Sequence, residues 1–393
     1  MAPNKRGGPP SEETLAKLKG KKTGQSPPAS QKNQAPANGS EAVGVAAVAA
    51  APAEPCDYAS GGMISKAEVE ARGAGTDDHG DTYSRARFAW SEWRVFFTGL
   101  MFLTRLPVPP GIDHHPAFLV RSMMWFPLFG AIIGGWGAVF FNAAAALWPP
   151  SASLLPAAIS TFSTVWLTGC FHEDGLADTF DGFGGGWGRN QILRIMKDSR
   201  VGTYALVGTA LALQLKNSGL AAIAAAPAAA GGGAAGVAAA LVAAHAASRW
   251  TSMVLIYVCE YIQDDEDAKR GMYNWFAQST RLLTLPRLAL GTLQAVAIPL
   301  LALGLHRACT VYGVTVAVTV ASGLYGNSVI GGVIGDYLGA TIQVAEILTY
   351  CALSADWSRV TGSWEGATPL LLLAGVAALP VIYCRRIVDW GSC

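Results

Sequence analysis

The sequence predicts an all-α fold, a polytopic transmembrane helical bundle of about six to eight spans behind a disordered N-terminal extension. Three observations carry that expectation. Hydrophobic residues make up 51% of the 393 residues and charged residues 14%, where a soluble domain carries about 25% charged. The charge is also unevenly spread, with 23 of the 55 charged residues in the first 94 positions and 32 in the other 299. Finally, the stretches between Arg121 and Glu173 and between Lys216 and Arg249 hold no Asp, Glu, Lys or Arg. They are apolar all round rather than striped, which excludes amphipathic helices of a soluble core. Backbone in lipid must satisfy its own hydrogen bonds, so helices are the fit, and the alternating strands of an outer-membrane barrel are missing. A nucleic-acid binder would need a basic face, and no nucleic-acid partner is expected.

In chain order, residues 1–87 read as the extension. Runs such as GQSPPASQKNQAPANGS are too poor in large apolar side chains to offset the entropy of ordering. Seven Lys/Arg in the first 32 residues, against Glu12 and Glu13, leave a targeting role open. The membrane-embedded domain occupies 88–393. Its spans are expected near Met123–Leu147 and Leu154–Phe171, parted by WPPSASLLP, and within Asn217–Ser248. Further spans are expected at Val201–Leu215, Trp250–Ile262, Leu288–Leu305, Ala308–Gly335 and Gly366–Cys384. Small residues, as in Gly130 to Gly137, suit close helix packing in lipid. The seven cysteines form no CxxC pair and read as reduced and structural.

Polar chemistry is concentrated in FHEDGLADTFDGFGGGWGRNQILRIMKDSRVGTYALVG, from Phe171 to Gly208. At 100° per residue, Asp174, Asp178 and Asp181 fall within about 60° of one another on a helix. Three like charges that close repel, and a divalent cation such as Mg2+ or Mn2+ removes the conflict. The bland alternative, a solvated acidic helix end, is weakened because ionisable groups at a membrane boundary are expensive. His172 and Glu173 lie off that face and carry less weight as site residues. The glycines from Gly182 to Gly188 read as a loop whose N–H groups can approach phosphate. Lys197 and Arg200, three apart, share a helix face and suit a pyrophosphate, although a positive flank of the next span explains them too. Arg105 precedes a rigid Pro107–Pro109 turn. Asp336 follows a long charge-free run, Glu346 lies ten residues later, and Arg249 or Arg105 is the expected partner for a lone aspartate there.

The block HEDGLADTFDG with MKDSRVGTY, preceded by LTRLPVP and WFPLFGAIIGG and followed by SRW and GDYLGA, resembles the cobalamin synthase family. That family is also called adenosylcobinamide-GDP ribazoletransferase, and the likeness runs from about Phe96 to Leu353. The resemblance implies an integral membrane, Mg2+-dependent phosphotransferase. It would join adenosylcobinamide-GDP to α-ribazole or its 5′-phosphate, giving adenosylcobalamin or its phosphate and GMP, late in cobalamin synthesis. Carried onto this chain, Asp174, Asp178 and Asp181 match the family's acidic motif and imply metal ligands. Lys197, Asp198 and Arg200 match its basic motif, Asp336 its late Gly-Asp motif, and Arg105 its early arginine. Lys197, Arg200 and Arg105 would bind substrate phosphates, and Asp198 would accept the hydroxyl proton. Ile334 and Tyr337 depart from residues common at those places.

Two rival readings use the same residues. A CDP-alcohol-type phosphotransferase also clusters aspartates at a helix end, but expects a D-G-x-x-A-R start that is missing here. A cation-coupled transporter expects a second, pseudo-symmetric half, and no second aspartate-rich block exists. The expected location is an inner or plasma membrane, or an organelle membrane if the extension is a targeting segment. Arg189, Arg194, Lys197 and Arg200 put the active block on the cytoplasm-like side.

Overall fold

The computed structural model describes residues 63–65, 85–110, 112, 116–262, 272–274 and 280–357. Through them run α1 (Arg85–Leu103), α2 (Pro116–Ser122), α3 (Phe126–Ala145), α4 (Leu154–Thr168), α5 (Phe171–Gly185) and α6 (Arg189–Met196). There follow α7 (Thr203–Ala225), α8 (Gly233–Val258), α9 (Leu285–Leu303), α10 (Leu305–Val329) and α11 (Gly335–Ser354). Among the described residues the only strands are β1 (Met63–Ser65) and β2 (Met272–Asn274), which pair antiparallel with Ile64 opposite Tyr273. Most of the 1–87 extension and the expected Gly366–Cys384 span lie outside the described residues.

Local sequence explains where the helices begin and end. Proline sits in the first turn of α3 and of α9, where its missing N–H costs nothing. Pro227 and the glycines after it part α7 from α8, with Gly231 at φ 77°. The expected spans Val201–Leu215, Asn217–Ser248 and Trp250–Ile262 are therefore two helices rather than three, because one break falls at Pro227 and none falls at Lys216 or Arg249. Four stretches are long and apolar enough to cross a membrane, Phe118–Ala145, Thr203–Ala225, Ala228–Val258 and Leu285–Val329; a fifth counts if α4 and α5 form one span, against the six to eight expected. The last of these turns back on itself at Gly304, φ 74°. The Tyr312 hydroxyl donates to the Val296 carbonyl sixteen residues away, a separation of about 24 Å along one continuous helix. Helices α9 and α10 are thus an antiparallel hairpin.

Helix α8 is the centre of the bundle and packs against α3, α9, α10 and α11. Its contact with α3 is made by glycine. A Cβ on Gly130 would lie 2.1 Å from the His245 carbonyl oxygen, and one on Gly134 would lie 2.4 Å from that of Leu241. This small-x-x-x-small spacing lets two backbones meet where lipid offers no hydrophobic drive between helices.

Four ionisable side chains close the interior. Glu346 of α11 is fully buried and meets Lys216 of α7 at 2.5 Å, Arg249 of α8 at 2.9 Å and His245 of α8 at 3.1 Å. The bundle arginine Arg249 therefore pairs with Glu346 and not with Asp336. Desolvating such groups is costly, so their pairing specifies an arrangement more than it adds stability. Replacing Glu346 by Leu leaves Lys216 and Arg249 as uncompensated buried cations and is expected to destabilise the bundle by about 3–5 kcal/mol. Thermal unfolding in detergent reads this as a large fall in midpoint, and an unmoved midpoint would show that the cluster does not hold the helices together.

Candidate active site

The site begins with a sharp bend. Helices α4 and α5 meet at 92°, through two successive left-handed residues, Gly169 (φ 70°) and Cys170 (φ 64°). Gly169 and Cys170 donate back to the Trp166 and Val165 carbonyls, closing α4 in the manner of a glycine C-cap. A Cβ at 169 would also stand 2.7 Å from the Arg105 guanidinium, which lies over this bend. Arg105 is thereby placed against the start of α5, with its own N–H bonded to the Leu167 carbonyl at 2.8 Å.

Helix α5 runs unbroken through Asp174, Asp178 and Asp181, so the three do share one face. The opposite side of α5 turns inward, burying His172 and Glu173 as the helical wheel requires. Glu173 accepts from the Gln343 amide at 2.8 Å. Helix α11 crosses this region antiparallel, with Gly175 against Asp336 and Gly339 against His172. A Cβ on Gly175 would come within 2.6 Å of the Asp336 carbonyl oxygen. That close approach delivers a fourth carboxylate. Asp178 lies within electrostatic reach of Asp336, Asp174 and Asp181. Burial, with added repulsion from Asp174, pushes the Asp336 carboxyl up to about 6. Beside it, burial and the Asp336 charge push the Tyr261 hydroxyl well above its usual range.

Asp181 has a different task. Its two oxygens accept the N–H groups of Gly202 at 2.6 Å and Ala205 at 2.9 Å. It thus caps the start of α7 from another helix, satisfying donors that no residue of α7 itself can reach. The glycine segment also differs from the expected loop. Helix α5 extends through Gly185, and Gly182 and Gly184 are packing positions against Met196 and Tyr204, where a Cβ would clash. Lys197 and Arg200 do not share a helix face, because α6 stops at Met196 and both lie in the exposed link to α7. There Arg200 folds onto Asp198, its Nε donating at 2.9 Å. This hydrogen-bonded pairing pushes Asp198 down to about 2. A carboxylate so stabilised is a poor proton acceptor at neutral pH.

The chemistry of the donor set fits a hard divalent cation, since every candidate ligand is a carboxylate oxygen. As the side chains stand, no three His, Cys, Asp or Glu groups among the described residues converge in position to hold a metal ion. Two parts of the surroundings were not read from the sequence. One is Tyr261 beside Asp336. The other is the buried Lys216–His245–Glu346 group behind α5, whose signal was there: Lys216 is the single charge between Arg200 and Arg249.

The cobalamin-5-phosphate synthase family matches residues 95–354. The chain belongs to that family. An adenosylcobinamide-GDP ribazoletransferase of Leptothrix cholodnii is 38% identical over 268 residues, covering 68% of this chain and 97% of the relative. Proteins of the same name from Shewanella baltica and Shewanella oneidensis are 35% and 34% identical, each covering 68% of this chain and 96% of the relative. No solved structure matches the chain. The family match begins at Val95 and ends at Ser354, so it contains the α5 carboxylates, Asp336 and the link with Lys197 and Arg200.

Because Asp181 caps α7, its replacement by Ala should loosen that helix start by about 1 kcal/mol. Amide hydrogen exchange is the measurement. Faster exchange at Gly202 and Ala205, with the middle of α7 unchanged, is expected; unaltered exchange at both would refute the capping role.

Proposed function

We propose that this chain is a membrane adenosylcobinamide-GDP ribazoletransferase whose reaction centre is the face shared by α5 and the first turn of α11. The observation that carries this reading is that a helix crossing made close by glycine brings Asp336 within electrostatic reach of Asp174 and Asp178. The family membership supplies the substrates, adenosylcobinamide-GDP and α-ribazole or its 5′-phosphate. Its helices make it an integral membrane protein. We place it in an inner or plasma membrane, or in an organelle membrane where the extension directs it there, with the basic α6–α7 link facing the cytoplasm.

Asp174, Asp178 and Asp336 would hold the divalent cation, Mg2+ being the expected one, in place of the wholly α5 set of Asp174, Asp178 and Asp181. When bound, such an ion neutralises pyrophosphate oxygens and removes the repulsion among the carboxylates. The pyrophosphate lies along α5, between Arg105 at its start and Lys197 and Arg200 beyond its end. The ribazole hydroxyl attacks the cobinamide-side phosphorus, the phosphoanhydride bond to GMP breaks, and GMP leaves with that electron pair. Arg200 and Lys197 offset the charge that grows on the departing phosphate. The hydroxyl proton passes to a carboxylate of the α5 face rather than to Asp198, which Arg200 holds ionised and weakly basic.

Incubating membranes with adenosylcobinamide-GDP and α-ribazole, and following GMP release, tests the reading. Asp178→Ala should lower the rate by about 10²-fold or more while the protein stays folded and inserted. Chelation should silence the wild type and added Mg2+ restore it. GMP release by the variant at near wild-type rate, or full activity under chelator, contradicts the assignment.

A further inference from the structure

Directly behind the acidic face, on the side of α5 turned into the bundle, stands a second polar group that the reaction does not use. His172 and Glu173 come from the first turn of α5, Lys216 from α7, His245 and Arg249 from α8, and Gln343 and Glu346 from α11. All seven side chains are buried, the most open being Glu173 at 7%. They form one cluster. His172 lies within electrostatic reach of Arg249, Glu346 and Lys216, and His245 within reach of His172.

Setting aside Glu346 Oε1, which Lys216 meets, six polar atoms of this cluster have no hydrogen-bond partner among the described residues. They are both ring nitrogens of His172, Oε2 of Glu173, Nε2 of His245, Nε of Arg249 and Oε1 of Gln343. An unpaired buried polar atom bears its desolvation cost without return, and six together weigh heavily against the marginal stability of a folded chain. A partner for them is therefore demanded by energy, and its chemistry follows from the cluster. Two basic side chains, Lys216 and Arg249, are matched in number by two carboxyls, Glu173 and Glu346, so no counter-ion is called for. The six atoms include acceptors, the Glu173 and Gln343 oxygens, and a donor, the Arg249 Nε–H, while an imidazole nitrogen can serve as either. The partner must be small, uncharged and able to donate and accept at once. Water is that molecule.

We propose that the junction of α5, α7, α8 and α11 is an internal hydration site, in which ordered water molecules bridge His172 and Glu173 to His245, Arg249 and Gln343. It ties the first turn of the reactive helix to the three helices behind it without a direct side-chain bond from His172. The site stands on burial and hydrogen-bond geometry and does not depend on the proposed reaction.

X-ray radiolytic labelling of the full chain in lipid nanodiscs tests this, because radicals born on bound water oxidise neighbouring side chains even where bulk solvent is excluded. Tyr350, fully buried and within electrostatic reach of Glu346 and Arg249, is the reporter, with His172 and His245. Phe129 and Phe141, equally buried in apolar surroundings, are the dry controls, and Tyr204, 59% exposed, is the wet one. After correction for intrinsic reactivity, Tyr350 and the two histidines should label at a rate close to that of Tyr204 while both phenylalanines stay unlabelled. Reporters as inert as Phe129 overturn the proposal. So does equal labelling of reporters and phenylalanines, which would mean that the whole bundle opens.

Discussion

A carboxylate buried among hydrocarbon has to meet its counter-charges before the bundle can close, and Glu346 meets them on two other helices. Lys216 comes from α7, and Arg249 and His245 come from α8. Those contacts fix how far α11 sits along its axis relative to both neighbours. Asp336 lies ten residues earlier on the same helix, about 15 Å along it. Setting the depth of Glu346 therefore sets where Asp336 emerges, and it emerges against Gly175, within electrostatic reach of Asp178. The buried charge cluster is expensive, and its return is an arrangement rather than stability.

Glycine completes that arrangement. Gly175 and Gly339 let α5 and α11 meet at backbone distance, and Gly130 and Gly134 do the same for α3 and α8. In lipid no hydrophobic force selects one helix pairing over another, so close packing and satisfied polar groups decide it. The polar groups here are layered. One face of α5 carries the carboxylates of the proposed site, while its reverse carries His172 and Glu173 into the bundle.

Much of this was legible in the sequence because helical periodicity is local. The spacing of Asp174, Asp178 and Asp181 places them on one face, and the same wheel puts His172 and Glu173 elsewhere, as the structure has them. What failed was whatever depended on a partner far along the chain. The glycine run from Gly182 read as a loop, yet Met196 and Tyr204 press on it and glycine serves their packing. Asp181 read as one of three equivalent ligands, yet the unsatisfied N–H groups of α7 claim it. Arg249 or Arg105 read as the partner for Asp336, yet the wholly buried carboxylate of Glu346 takes Arg249, the only arginine of α8. Lys197 and Arg200 read as helical because their spacing allows it, yet the helix stops at Met196 and Arg200 folds onto Asp198 beyond it.

The central claim is that a carboxylate from α11 joins those of α5 in one cation site. Titrating Mn2+ into the full chain in nanodiscs, with the free ion followed by electron paramagnetic resonance, tests it most directly. One tight site is expected in the wild type and in Asp198→Asn, and its loss in Asp178→Asn and in Asp336→Asn alike. Binding that survives undiminished in Asp336→Asn would contradict the account, because it would leave the cation on α5 alone.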